Sequence, residues 1–339
     1  MNKIGYYLFI ISVVLLSACN KEAKIEGTAL IGDLGSLNDT LYFYGTDRFY
    51  DRQDTIVLSG GKLVHQLELD TTILGYIYSD RFKETRVFIS PDDQLILSLS
   101  ASDSTLLEIS GNKMHTEYNQ LAQTLQSSPD TIKAIKDHIK SNPFSLTNIA
   151  AIEDFLLYTD SPRYDKIEDI IKELPGSLRD RQAIEAINNK LVMVQRAREG
   201  RSLLFFNLPD MKGKFHDRKD FKNKLLVLYF WASWDEGSKQ MNKELRTLYK
   251  KFNKRKKDLA IVGISIDADT TQLKNTIKTD TLSWTILSDP TGWDSQVIDR
   301  YGITKLPTLF FVDRTDIIVA RDVSIDSLKT LIEYELKNK

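Results

Sequence analysis

Between Phe230 and Met241 the chain reads FWASWDEGSKQM, and three residue types there could do chemistry: Asp235, Glu236 and Ser238. On a helix start, Asp235 and Glu236 are neighbours whose side chains point about 100° apart, so they diverge and do not form a carboxylate pair. Ser238 with Asp235 has the residue types of a hydrolase, yet no histidine lies nearby and no G-x-S-x-G surrounds the serine. His216 could join them only through tertiary folding. A local account is simpler. Ser233 and Glu236 have the S-x-x-E spacing of a capping box, and Asp235 with Lys239 stands at i, i+4, so the stretch predicts an ordinary capped helix start. Sulfur chemistry would need a thiol, and the only cysteine in the chain is Cys19.

That cysteine closes an export signal. MNKIGYYLFIISVVLLSACN has a basic start at Lys3, an apolar run from Ile4 to Leu16 and then small residues. Leu16, Ser17, Ala18 and Cys19 resemble the lipobox of bacterial lipoproteins, in which cleavage precedes an acylated cysteine. The resemblance implies a signal peptide over residues 1–18 and a lipid anchor on Cys19, and several acyl chains hold a protein on a membrane far better than one. The mature chain would then carry no free thiol. Elsewhere, 46 Lys plus Arg against 47 Asp plus Glu leave a net charge near zero, which gives no reason to expect nucleic acid as a partner. The basic run KKFNKRKKD from Lys250 reads as the solvated end of a helix.

The elements that must position FWASWDEGSKQM come in three parts, and 339 residues suit two or three domains. Over residues 19–111, the runs IEGTALIG, TLYFYGT, TIVLS, KLVHQLEL, ILGYIYS, TRVFIS, QLILSLS and TLLEIS predict an antiparallel β-sandwich or barrel, with Gly60 and Gly61 at a hairpin. His65 shares a face with Leu63 and Leu67 and reads as a packed side chain. Residues 112–200 switch to a helical period. Ser128-Pro129, Asn142-Pro143 and Ser161-Pro162 place N-cap residue types before prolines, and Ile184, Ile187, Leu191 and Val194 form one stripe. His115 and His138 read as surface or packing residues. Residues 201–339 alternate buried strand and amphipathic helix: KLLVLYFW, MNKELRTLYKKF, LAIVGISID, TLFFVD and SIDSLKTLIEYEL.

The third part resembles the thioredoxin-like domain of exported TlpA/ResA-type thiol-disulfide proteins. The likeness runs from LPDMKGKFHDRKDFKNKLLVLYFWASWDEGSKQMNKEL through VGISID and SDPTGWDSQVIDRYGI to KLPTLFFVDR, and so covers residues 201–339. It implies that the attacking cysteine of the family falls on Asp235, the resolving cysteine on Ser238 and the buried acid–base carboxylate on Tyr229. Pro307 takes the place of the family's cis-proline. Neither Asp235 nor Ser238 can exchange disulfides, which needs a thiolate and a second sulfur. The whole layout resembles a lipoprotein arrangement of Bacteroidetes whose β-rich domain has no known role.

These readings together describe a multidomain, membrane-anchored lipoprotein of the bacterial cell envelope, facing the periplasm or the surface. Its thioredoxin-like domain is expected to be redox-inactive. Its expected partners are the membrane, through Cys19, and an extended peptide or envelope protein held in a groove at Trp234, Leu306 and Pro307. No cofactor or metal is expected. Two alternatives stand: a thiol-disulfide oxidoreductase or antioxidant protein, and a purely structural domain beside a functional β domain.

Overall fold

The computed structural model describes residues 26–252 and 257–337. The leader, Cys19 and residues 253–256 of the basic run lie outside the described residues.

Each of the β-rich runs forms a strand: β1 (Thr28–Asp33), β2 (Asp39–Gly45), β3 (Gln53–Leu58), β4 (Lys62–Leu67), β5 (Ile73–Tyr78), β6 (Thr85–Ile89), β7 (Gln94–Leu99) and β8 (Leu107–Ser110). They make two sheets, β4-β1-β7-β8 and β3-β2-β5-β6, that close on a core including Leu30, Phe43, Ile77 and Leu95. The pairing is antiparallel except between β1 and β7. β7 arrives after β6 of the other sheet, so no hairpin forces it antiparallel to its neighbour. His65 points inward, and its Nε2 lies 2.7 Å from Asp54 Oδ2.

The middle segment holds α1 (Lys113–Ser127), α2 (Thr131–Ser141), α3 (Thr147–Ile152) running into a π-helical turn at Glu153–Leu157, α4 (Tyr164–Glu173), α5 (Gly176–Arg179) and α6 (Gln182–Arg196). The prolines do not start helices as their spacing predicts. Ser128 and Asn142 are C-caps of α1 and α2, α2 is capped by Asp130, and α4 follows Arg163 with no side-chain cap. A proline bars helical backbone at the residue before it, so these dipeptides end or link helices and capping passes downstream. The Ile184, Ile187, Leu191 and Val194 stripe is buried. Leu74 and Phe88 of the β domain join the helical core. Arg181 reaches Asp47 at 2.7 Å, and Arg86 binds Glu153 and Asp154.

The last part is built on a sheet of order β13-β12-β11-β14-β15: β11 (Leu225–Trp231), β12 (Leu259–Ser265), β13 (Thr285–Ser288), β14 (Thr308–Val312) and β15 (Ile318–Arg321). A hairpin, β9 (Asn207–Pro209) and β10 (Phe215–Asp217), bridges to β13 through Asp210 and Leu287. All residues of β11 are buried, because both sheet faces are covered. Leu226, Leu228 and Phe230 pack with α9 (Gln296–Arg300). Val227, Tyr229 and Trp231 face α7 (Glu236–Lys251), α8 (Thr270–Thr279) and α10 (Ile325–Lys337).

Candidate functional site

β11, β12 and β13 are parallel, so their C-terminal ends share one sheet edge, and antiparallel β14 begins at that same edge. Residues 232–235, the loop after Ser265 and residues 305–307 therefore converge there, as connections at the carboxyl ends of parallel strands do. FWASWDEGSKQM is delivered to this edge by β11 and leaves it as α7.

The helix start is capped differently from the sequence expectation. Asp235 is the N-cap of α7, and its Oδ2 accepts a hydrogen bond from Ser238 N at 2.6 Å. Lys239 pairs with Glu236, not with Asp235. Ser233 is no capping-box residue, because it is bound to a carboxylate remote in sequence. Its N–H lies 3.0 Å from both oxygens of buried Asp267, and its hydroxyl donates to Asp267 Oδ1 at 2.5 Å. Ser265 Oγ donates to the other oxygen at 2.6 Å. With four donor contacts, the buried carboxylate of Asp267 stays satisfied and fixes the loop ahead of Trp234. Asp267 ends the quoted LAIVGISID run, but nothing in the sequence couples it to Ser233, 34 positions away.

Ser238 is fully buried, and its Oγ accepts from Ala232 N at 3.3 Å. This hydroxyl seals the turn and faces no substrate space. His216, the one histidine weighed as its partner, is held at the opposite edge of the sheet. Its ring nitrogens lie 2.8 Å from Asp220 Oδ2 and 3.2 Å from Asp210 Oδ2. That cleft is lined by Leu259 and Thr285, the first residues of β12 and β13, so the hydrolase arrangement is not assembled.

Tyr229, which the resemblance would place at the acid–base carboxylate, is fully buried on β11. Its hydroxyl donates to Asn242 Oδ1 at 2.9 Å and accepts from Trp284 Nε1 at 3.0 Å. Burial drives its pKa far above the ordinary phenol range, so it stays a neutral structural hydroxyl. Gly263 on β12 makes room for it: a Cβ there would come within 2.9 Å of the Tyr229 hydroxyl.

The open space at this edge is a cleft of about 390 Å³ beside the cis Leu306–Pro307 peptide. Met241, Leu306, Pro307, Leu309 and Val323 give it apolar walls, while Asp160, Asp235, Lys305 and Asp322 supply the charges. Gly237 lets α7 start against the proline: an added Cβ would sit 3.0 Å from Pro307 Cδ. Among the described residues, no backbone group pairs with the Leu306 N–H or C=O. Leu306 and Pro307 thus lie in the cleft with Asp235. Trp234 is half exposed at the same edge but does not line it. Asp160 and Asp322 were not legible as site residues, since one comes from the helical segment and the other from the end of β15.

A thioredoxin-like family model matches residues 223–318. The thiol-disulfide oxidoreductase ResA of Bacillus thuringiensis subsp. konkukian is 31% identical over 134 residues, which are 39% of this chain and 73% of that protein. ResA of Bacillus subtilis is 29% identical over 115 residues, 34% of this chain and 62% of that protein. Among solved structures, a thiol-disulfide oxidoreductase from Bacteroides fragilis is 38% identical, covering 40% of this chain and 98% of its own, with a TM-score of 0.38.

Proposed function

The chain belongs, through its thioredoxin-like domain, to the ResA-type thiol-disulfide oxidoreductase family, and from that membership we propose that it has kept the family's frame for binding and not for redox exchange. In this reading it is a lipoprotein of the cell envelope, anchored through Cys19, whose thioredoxin-like domain holds an extended peptide or a segment of an envelope protein. The carrying observation is the cleft: about 390 Å³ remain open beside Leu306 and Pro307, with a free main-chain pair at Leu306, and in this reading Asp235 and Ser238 hold the places that the resemblance assigns to the family's thiols. An unpaired N–H at the wall of a groove can donate one hydrogen bond to an extended chain and the C=O can accept one from it, the mode by which peptides add to sheet edges.

The test is peptide binding by the purified full chain. Gly237→Leu, which fills the space beside Pro307, is expected to weaken binding about tenfold or more, as loss of a central pocket contact does. If no extended peptide binds, or if Gly237→Leu binds as well as the parent, the reading fails. Cys19→Ser is expected to move the protein from the membrane fraction to the soluble one.

A second reading, a working thiol-disulfide oxidoreductase, is favoured by the activity named for the relatives. It needs thiols, and the sequence supplies none after Cys19. Insulin reduction by the purified full chain separates the two: turnover above blank would support the oxidoreductase and overturn the binding-only reading.

A further inference from the structure

We infer that the occupant of the Leu306–Pro307 cleft is a basic extended segment, one that presents lysine or arginine beside apolar residues. This rests on the peptide-binding reading above and specifies its partner. Charge complementarity within one groove supports it. The cleft has an apolar floor, three carboxylates and one cation: Asp160, Asp235, Asp322 and Lys305. The cation is already engaged, since Lys305 Nζ donates to the Asp160 carbonyl at 2.7 Å. Asp235 gives one oxygen to the α7 cap and keeps the other for a ligand, whereas Asp322 gives one to Leu309 N at 3.0 Å and faces Arg321 Nε at 3.5 Å with the other, so Asp160 and Asp235 are the carboxylates left to meet a cation.

The helix start does not reverse this sign. The positive end of α7 would favour an anion in an empty site, but the Asp235 carboxylate already sits on it. An acidic ligand would meet three carboxylates in a partly desolvated groove, where unlike charges gain and like charges lose more than at an open surface. The whole chain carries a net charge of −1, so the acidity is a property of this groove and not of the protein at large.

The groove is also shared between two parts of the chain. Asp160 comes from the loop before α4, and Tyr164 of that region hydrogen-bonds Thr304, three residues before Pro307. The helical segment thereby supplies one of the selecting charges to a site whose floor belongs to the thioredoxin-like domain.

The experiment uses the full chain and three labelled dodecapeptides with the same apolar residues, differing only in carrying Lys/Arg, Ser/Gln or Glu, with binding followed by fluorescence anisotropy. The basic peptide is expected to bind roughly tenfold tighter than the neutral one and to weaken as NaCl is raised. Asp160→Asn should lower the ratio of basic-peptide to neutral-peptide affinity toward one, with a thermal melt confirming the fold. Equal affinities, or a preference for the acidic peptide, would overturn the inference while leaving peptide binding intact. No binding of any of the three would overturn the peptide-binding reading and the inference with it.

Discussion

The Tyr229 hydroxyl has a structural duty inside the sheet. It sits between Asn242 and Trp284, donating to one and accepting from the other. Tyr229→Phe would leave a buried amide oxygen and a buried indole N–H unpaired, so a loss of about 1–3 kcal/mol is expected in urea unfolding. His115 makes a second residue-scale prediction. Its ring is buried against Phe88 and accepts a hydrogen bond from Phe88 N, and burial pushes its pKa down to about 4. The unfolded chain takes up a proton near the ordinary pKa of about 6.5, while the folded chain resists until about 4. The neutral imidazole's contribution is therefore complete above pH ~6.5 and lost progressively down to pH ~4, because the unfolded state binds more protons in that window. His115→Gln, which keeps an acceptor for Phe88 N, should flatten stability across this range in pH-dependent melts. An unchanged acid limb would count against the assignment.

At the scale of elements, α7 is set by one carboxylate. The sequence offered a capping box at Ser233 and Glu236, but Asp267 claims Ser233 from across the sheet edge. Asp235 is left to cap Ser238 N. Asp235→Ala is expected to cost about 1 kcal/mol of stability, the usual price of an N-cap, with α7 fraying first in hydrogen exchange. Ser233→Ala should cost more than a surface cap would, since it leaves a buried carboxylate oxygen short of a donor. The proline-linked caps failed for a related reason: a local pattern names which residues can cap, while the path of the chain decides which of them does.

Across the whole molecule, the helical segment is fastened to both neighbours. Arg181, mostly buried, reaches Asp47 and the Thr72 carbonyl and lies over Phe49. On the other side Lys190 pairs with Asp299 and Tyr164 meets Thr304. Arg181→Met would leave the Asp47 carboxylate buried without its cation, and about 3–5 kcal/mol of destabilisation is expected. Asp47→Asn in the same background should recover part of it, because the stranded charge is then gone. The three-part order, the strand runs of the β domain and the buried β11 were legible in the sequence, since periods of two and 3.6 and continuous apolar runs report burial directly. The sequence alone also determined that Asp235 and Ser238, and not thiols, stand at the start of α7. Only the tertiary structure decided that Ser238 is sealed, that His216 lies at the far edge, and that Asp160 and Asp322 join Leu306 and Pro307 around one cleft. The cleft depends on contacts such as that of Lys305 with Asp160, 145 positions apart, and the others on the path of the strands, none of which local spacing encodes.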